Sequence, residues 1–160
     1  MVAVAPGAAF AAPAAARYTR SDLTIHTDTS SGATDAYKQA FQGAILPVAE
    51  IREYELTTYG RAVEQNSDEE FAKLESASKV YASIADDLLA IPVPEDAVGP
   101  HLDLANSFAA FAETLKRMAE SPEDPVMAFV SMRNFLENED TIKTAYSQID
   151  IYFTLKEANL

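Results

Sequence analysis

From Thr34 to the C-terminus, apolar residues recur at spacings of three and four, which places them on one face of an α-helix. The first run opens at Thr34, whose hydroxyl suits an N-cap. It continues through Tyr37, Phe41, Ala44, Val48 and Ile51 to Leu56, Tyr59 and Val63, and stops at Gln65 and Asn66. Pro47 falls inside this run. Because proline lacks a backbone donor and crowds the preceding turn, a long helix there is kinked or split.

Ser67 opens the second helix. With Glu70 three residues on it forms a capping box, in which Glu70 is expected to reach back to the Ser67 amide, and Asp68 and Glu69 suit a helix N-terminus. Its core face is Phe71, Leu74, Ala77, Tyr81, Ile84 and Leu88. The segment Ile91, Pro92, Val93, Pro94 is predicted extended, since each residue before a proline is driven out of the α region. Pro100 then fits the first position of a third helix, carrying Leu104, Phe108, Phe111, Leu115 and Met118. The prolines at 122 and 125 separate it from a last helix with Ala128, Met132, Phe135, Ile142, Tyr146, Ile149 and Phe153 inward.

The fold class implied is all-α, an antiparallel up-down four-helix bundle with its first helix kinked or split at Pro47. Residues 34–66 and 125–157 span about 50 Å each as helices, and 68–90 and 100–121 about 35 Å. The long outer helices should therefore overhang the shorter hairpin at one end. That overhang would gather Tyr37, Phe41, Tyr146 and Phe153 beside the loop 91–100.

Before Thr34 the pattern is different. Leu23 and Ile25 alternate with polar neighbours and lead into a Thr/Ser/Asp/Gly stretch, which reads as a short extended connector with no strand to pair with. The first residues are nearly all Ala, interrupted by Pro6, Gly7 and Pro13. Ala14 and Ala16, like Ala9 and Ala11, have the spacing of a signal-peptidase site. With no charged residues ahead of it, this segment reads as the remnant of a signal or anchor, or as an Ala/Pro linker. Residues 1–33 are thus expected to be leader and connector, and 34–160 the bundle domain.

A chain of 160 residues with 48% apolar content can bury one good core. Its net charge of −13 lies almost wholly after residue 30, because Arg17 and Arg20 balance Asp22 and Asp28. Such a surface repels phosphate backbones and anionic lipid, so neither nucleic acid nor an anionic membrane surface is an expected partner. Having no Cys, the chain can use no disulfide, zinc–thiolate or thiol chemistry.

Candidate chemistry is sparse. His101 points toward the seam near the overhang, where a ligand or pH-sensing role competes with that of an interfacial histidine. Glu55 and Glu139 fall near core-facing slots, but di-iron chemistry also wants Glu-x-x-His motifs, and the chain has none. No metal or other cofactor is expected. No nucleophile elbow, phosphate loop, dinucleotide fingerprint or EF-hand occurs, so no catalytic residue is assigned and the protein is read as a non-enzyme. The candidate binding end is Tyr37, Phe41, His101, Tyr146 and Phe153, residues that could equally be ordinary core.

Three stretches carry a resemblance: Ile91-Pro92-Val93-Pro94, His101 to Ser107, and Asp124-Pro125-Val126. Over roughly residues 20–157 the chain resembles a group of uncharacterised small bacterial proteins, exported or membrane-anchored helical bundles, some encoded near pilus or secretion components. The resemblance implies an extracytoplasmic interaction role, periplasmic or at the cell surface, with protein partners in the envelope. Any membrane tether would lie in a missing N-terminal segment. A small-molecule sensor or carrier bundle is the alternative.

Overall fold

Ser30, not Thr34, opens the first helix. In the computed structural model, which describes residues 17–120 and 125–158, the Ser30 hydroxyl accepts the Ala33 amide at 3.4 Å. Its carbonyl takes the first helical bond, from the Thr34 amide at 2.9 Å. Asp28 accepts the Ser30 amide at 2.9 Å. A cap needs a short oxygen-bearing side chain on extended backbone, and Ser30 supplies both one turn early. Thr34 lies buried inside α1 (Ser31–Ile45). The Ala-rich leader, residues 1–16, lies outside the described residues, as does the turn at 121–124.

Beyond Ile45 the chain tightens into a 3₁₀ segment, Leu46–Glu50, with Pro47 in its first turn. Pro47 has no amide to give the Gly43 carbonyl, and the Leu46 amide takes that carbonyl instead. α2 (Glu55–Gln65) follows and ends on Asn66, whose φ of 48° is left-handed. The Asn66 and Ser67 amides both reach the Ala62 carbonyl, closing the helix.

α3 (Asp68–Ala90) starts on Ser67, whose hydroxyl accepts the Glu70 amide at 3.4 Å. The other half of the expected box is replaced, because the Glu70 carboxylate turns to Arg61 (2.7 Å) and Lys73 (2.5 Å). A charged partner is a stronger hydrogen-bond donor than a neutral amide, and Arg61 also ties α2 to α3. α4 (Val98–Glu120) begins two residues before Pro100, which still falls in the first turn where an amide has no helical partner. α5 runs from Pro125 to Ala158.

The connector has a partner after all. β1 (Ile25–His26) pairs in parallel with β2 (Val93–Pro94), Ile25 opposite Val93, and the Val93 amide donates to the Thr24 carbonyl at 2.8 Å. Upstream, the Tyr18 amide and carbonyl both bond the Asn106 side chain, at 2.8 and 3.0 Å. The residues from Tyr18 onward are therefore fastened to the helical body.

The fold is an all-α bundle. α3 meets α4 through Tyr81 against Phe111, ring centroids 4.8 Å apart, and through a 2.8 Å bond from the Ser78 hydroxyl to the Ala112 carbonyl. α4 meets α5 through Phe111 against Phe135 at 4.9 Å and Asn138 to Thr114 at 2.8 Å. Every residue assigned inward on α3 and α4 from the spacing is buried. On α5, Phe135, Ile149 and Phe153 are buried, whereas Met132 and Tyr146 are exposed.

Candidate functional site

The five residues of the predicted binding end do meet, four of them as packed core and Tyr146 at its edge. His101 is fully buried, at 0% exposure. One ring nitrogen, Nε2, lies 2.9 Å from the Leu88 carbonyl, which can only accept, so Nε2 carries the proton. Nδ1 then accepts the Tyr37 hydroxyl at 2.8 Å. Burial holds the His101 pKa below the usual histidine range and pushes that of Tyr37 up, so both are neutral at ordinary pH.

Around this pair Tyr37 packs on Phe153 at 5.4 Å and Phe41 on Phe153 at 5.7 Å, the distances of touching rings. Tyr146, 44% exposed, sits at the rim 6.2 Å from Phe41. Tyr152 closes the cluster. Burial and its hydrogen bond to Asp96 push its pKa up to about 12. The cluster locks α1, α3, α4 and α5 together and would have to part to admit a ligand.

Of the two carboxylates near core slots, Glu55 is buried, 7% exposed, and accepts the Tyr81 hydroxyl at 2.7 Å. Glu139 pairs with Lys143 at 3.1 Å and accepts the Tyr54 hydroxyl at 3.3 Å. Tyr81 feels both carboxylates, and burial first, then Glu55, raises its pKa. Among the described residues no group of three or more His, Asp or Glu side chains could hold a metal ion.

Two features went unread in the sequence. The first is the outer face of α5, where Phe129 is 71% exposed beside exposed Val126, Val130, Met132 and Leu136. At 100° per residue Val126, Phe129 and Val130 fall opposite buried Ser131 and Phe135, with Leu136 on their flank and Met132 at the edge next to Phe135. Arg133 is the only charge between 125 and 136, and it pairs with Glu137 at 2.8 Å. The signal was available: positions 126–130 are apolar without a break, more than one helix face can bury. The second is a cleft of about 540 Å³ between α2 and α3, lined in part by Glu55, for which composition and spacing held no cue.

No protein-family model, curated protein or solved structure matches this chain. Among the described residues no helix is long and apolar enough to cross a membrane.

Proposed function

We propose that this protein is a non-enzymatic, extracytoplasmic bundle that binds a protein partner of the cell envelope, or of a surface or secretion apparatus, through the outer face of α5. The observation that carries the reading is the group Phe129, Val130 and Leu136, exposed within about 120° of the helix surface. Contiguous exposed apolar surface on a folded domain marks interaction sites. The Ala-rich leader and the resemblance to exported bundles support the compartment, and the lack of catalytic motifs supports the non-enzymatic role.

Charge narrows the partner. The chain carries −13, so a second copy brings like charge to the interface, while a helix with Lys or Arg beside its apolar stripe brings the opposite sign. The partner is accordingly read as an amphipathic helix with basic flanks. An antiparallel up-and-down course, its first helix broken at Pro47, would leave this face clear of the bundle interior. Pairing of Ser78 with Ala112 and of Leu88 with His101, opposite in sense along α3 and α4, supports that course.

Two synthetic helices with one Leu stripe, flanked either by Lys and Arg or by Glu, test the chemistry by fluorescence anisotropy. The basic helix should bind at least about tenfold tighter, and Phe129→Glu should abolish its binding. Equal binding of the two, no binding, or an unaffected F129E variant would refute the reading. Cell fractionation tests the compartment: a cytoplasmic pool alone removes the envelope role. The second reading, a small-molecule binder, is favoured by the cleft at Glu55 rather than by the packed aromatic end.

A further inference from the structure

The cleft between the Leu46–Glu50 segment, the start of α2 and the side of α3 holds about 540 Å³, the scale of a small-molecule site. Ile51, Leu74 and Val80 give it apolar walls. Glu55, more than nine-tenths buried, also lines it. One of its oxygens accepts the Tyr81 hydroxyl at 2.7 Å, and the other has no hydrogen-bond partner among the described residues.

Two of the neighbouring cations are already engaged. Arg61 holds Glu53 and Glu70, at 2.5 and 2.7 Å, and Lys73 holds Glu69 and Glu70, at 3.3 and 2.5 Å. Arg52, also on the wall, forms no ion pair with Glu55. Tyr81 satisfies one carboxylate oxygen, and the other is left for a charged donor in the cleft that Glu55 lines.

We propose that this cleft binds an organic cation with an apolar body, of the primary alkylamine class. The ammonium sits against the free oxygen of Glu55, and the alkyl chain lies along Ile51, Leu74 and Val80. This site is separate from the α5 face and each reading can fail without the other.

The test is titration of the full chain with hexylamine, and with hexanoate as the anionic control, followed by amide NMR shifts. Saturable shifts confined to residues 50–58 and 72–80 are expected with hexylamine and not with hexanoate. Glu55→Gln should weaken amine binding by about tenfold or more while the remaining amide spectrum is preserved. Should that variant fail to fold, Ala72→Phe, a change at an exposed wall position, serves instead and should block the amine. No saturable shifts, equal response to both ligands, or undiminished binding in the folded variant would overturn the proposal.

Discussion

The hydroxyl of Tyr37 on α1 donates to Nδ1 of His101 on α4 across 2.8 Å of fully buried space, and the far nitrogen of the same ring donates to the Leu88 carbonyl. One side chain thus holds three helices in register. Tyr37→Phe keeps the ring but orphans Nδ1, and the cost of an unsatisfied buried acceptor is about 1–3 kcal/mol. Urea unfolding of the variant should show that loss; an unchanged midpoint would mean that the bond contributes nothing.

The same pair sets an acid limit. His101 has a folded pKa below its unfolded value of about 6.5, so below that pH the unfolded chain binds the extra proton first. Stability is therefore full above about 6.5 and falls as pH drops from there toward the lower folded value. Carboxylates such as Glu53 and Glu70, held down by hydrogen bonds from Arg61 and from Lys73, keep their contribution until the pH is lower still. Thermal melts between pH 7 and 5 should show a decline that His101→Gln largely removes.

Two phenylalanines on α5 should behave oppositely. Phe135 is fully buried against Phe111 and Tyr54, so Phe135→Ala should cost about 3–5 kcal/mol. Phe129 faces outward, and its removal should change stability by no more than about 0.5 kcal/mol. Denaturation of the two variants side by side checks which face of α5 is the core.

Asn66 holds the left-handed turn between α2 and α3 at φ 48°. Gly there should be neutral or slightly stabilising, while Asn66→Val, with a β-branched side chain, should cost about 1–2 kcal/mol. Unfolding midpoints of the two variants measure the difference.

The inward faces of α3 and α4 were legible because each packs one stripe against neighbours along its whole length, so the spacing of Phe71 to Leu88 and of Leu104 to Met118 is the burial pattern itself. α5 resists that reading. Over 34 residues it carries apolar side chains on both faces near its start, and Met132, in phase with the core by count, points outward. The β1–β2 pair was hidden for another reason: two residues of strand have no periodicity, and the partner lies in a proline segment far along the chain. The cap at Ser30 and the diversion of Glu70 to Arg61 are choices among equivalent polar groups, which only packing decides.

The candidate site divides in the same way. The sequence placed Tyr37, Phe41, Tyr146 and Phe153 at one end with His101 near the seam, and the rings do gather there. It could not tell a packed cluster from a lined pocket, because that depends on how closely the helices approach. The face that is open, on α5, is recognisable only as an excess of apolar residues over what one stripe needs.

The interaction role is tested most directly in cells, by a photo-crosslinking amino acid placed at position 129 and, as a control, at exposed Lys79 on α3. The account predicts a discrete adduct from position 129 alone, heavier than the chain by a partner other than itself. The cross-link should map to a basic-flanked apolar helix, and the purified partner should lose binding to the Leu136→Glu variant. Adducts equally from both positions, only a cross-linked pair of this chain, or no adduct at all would contradict it.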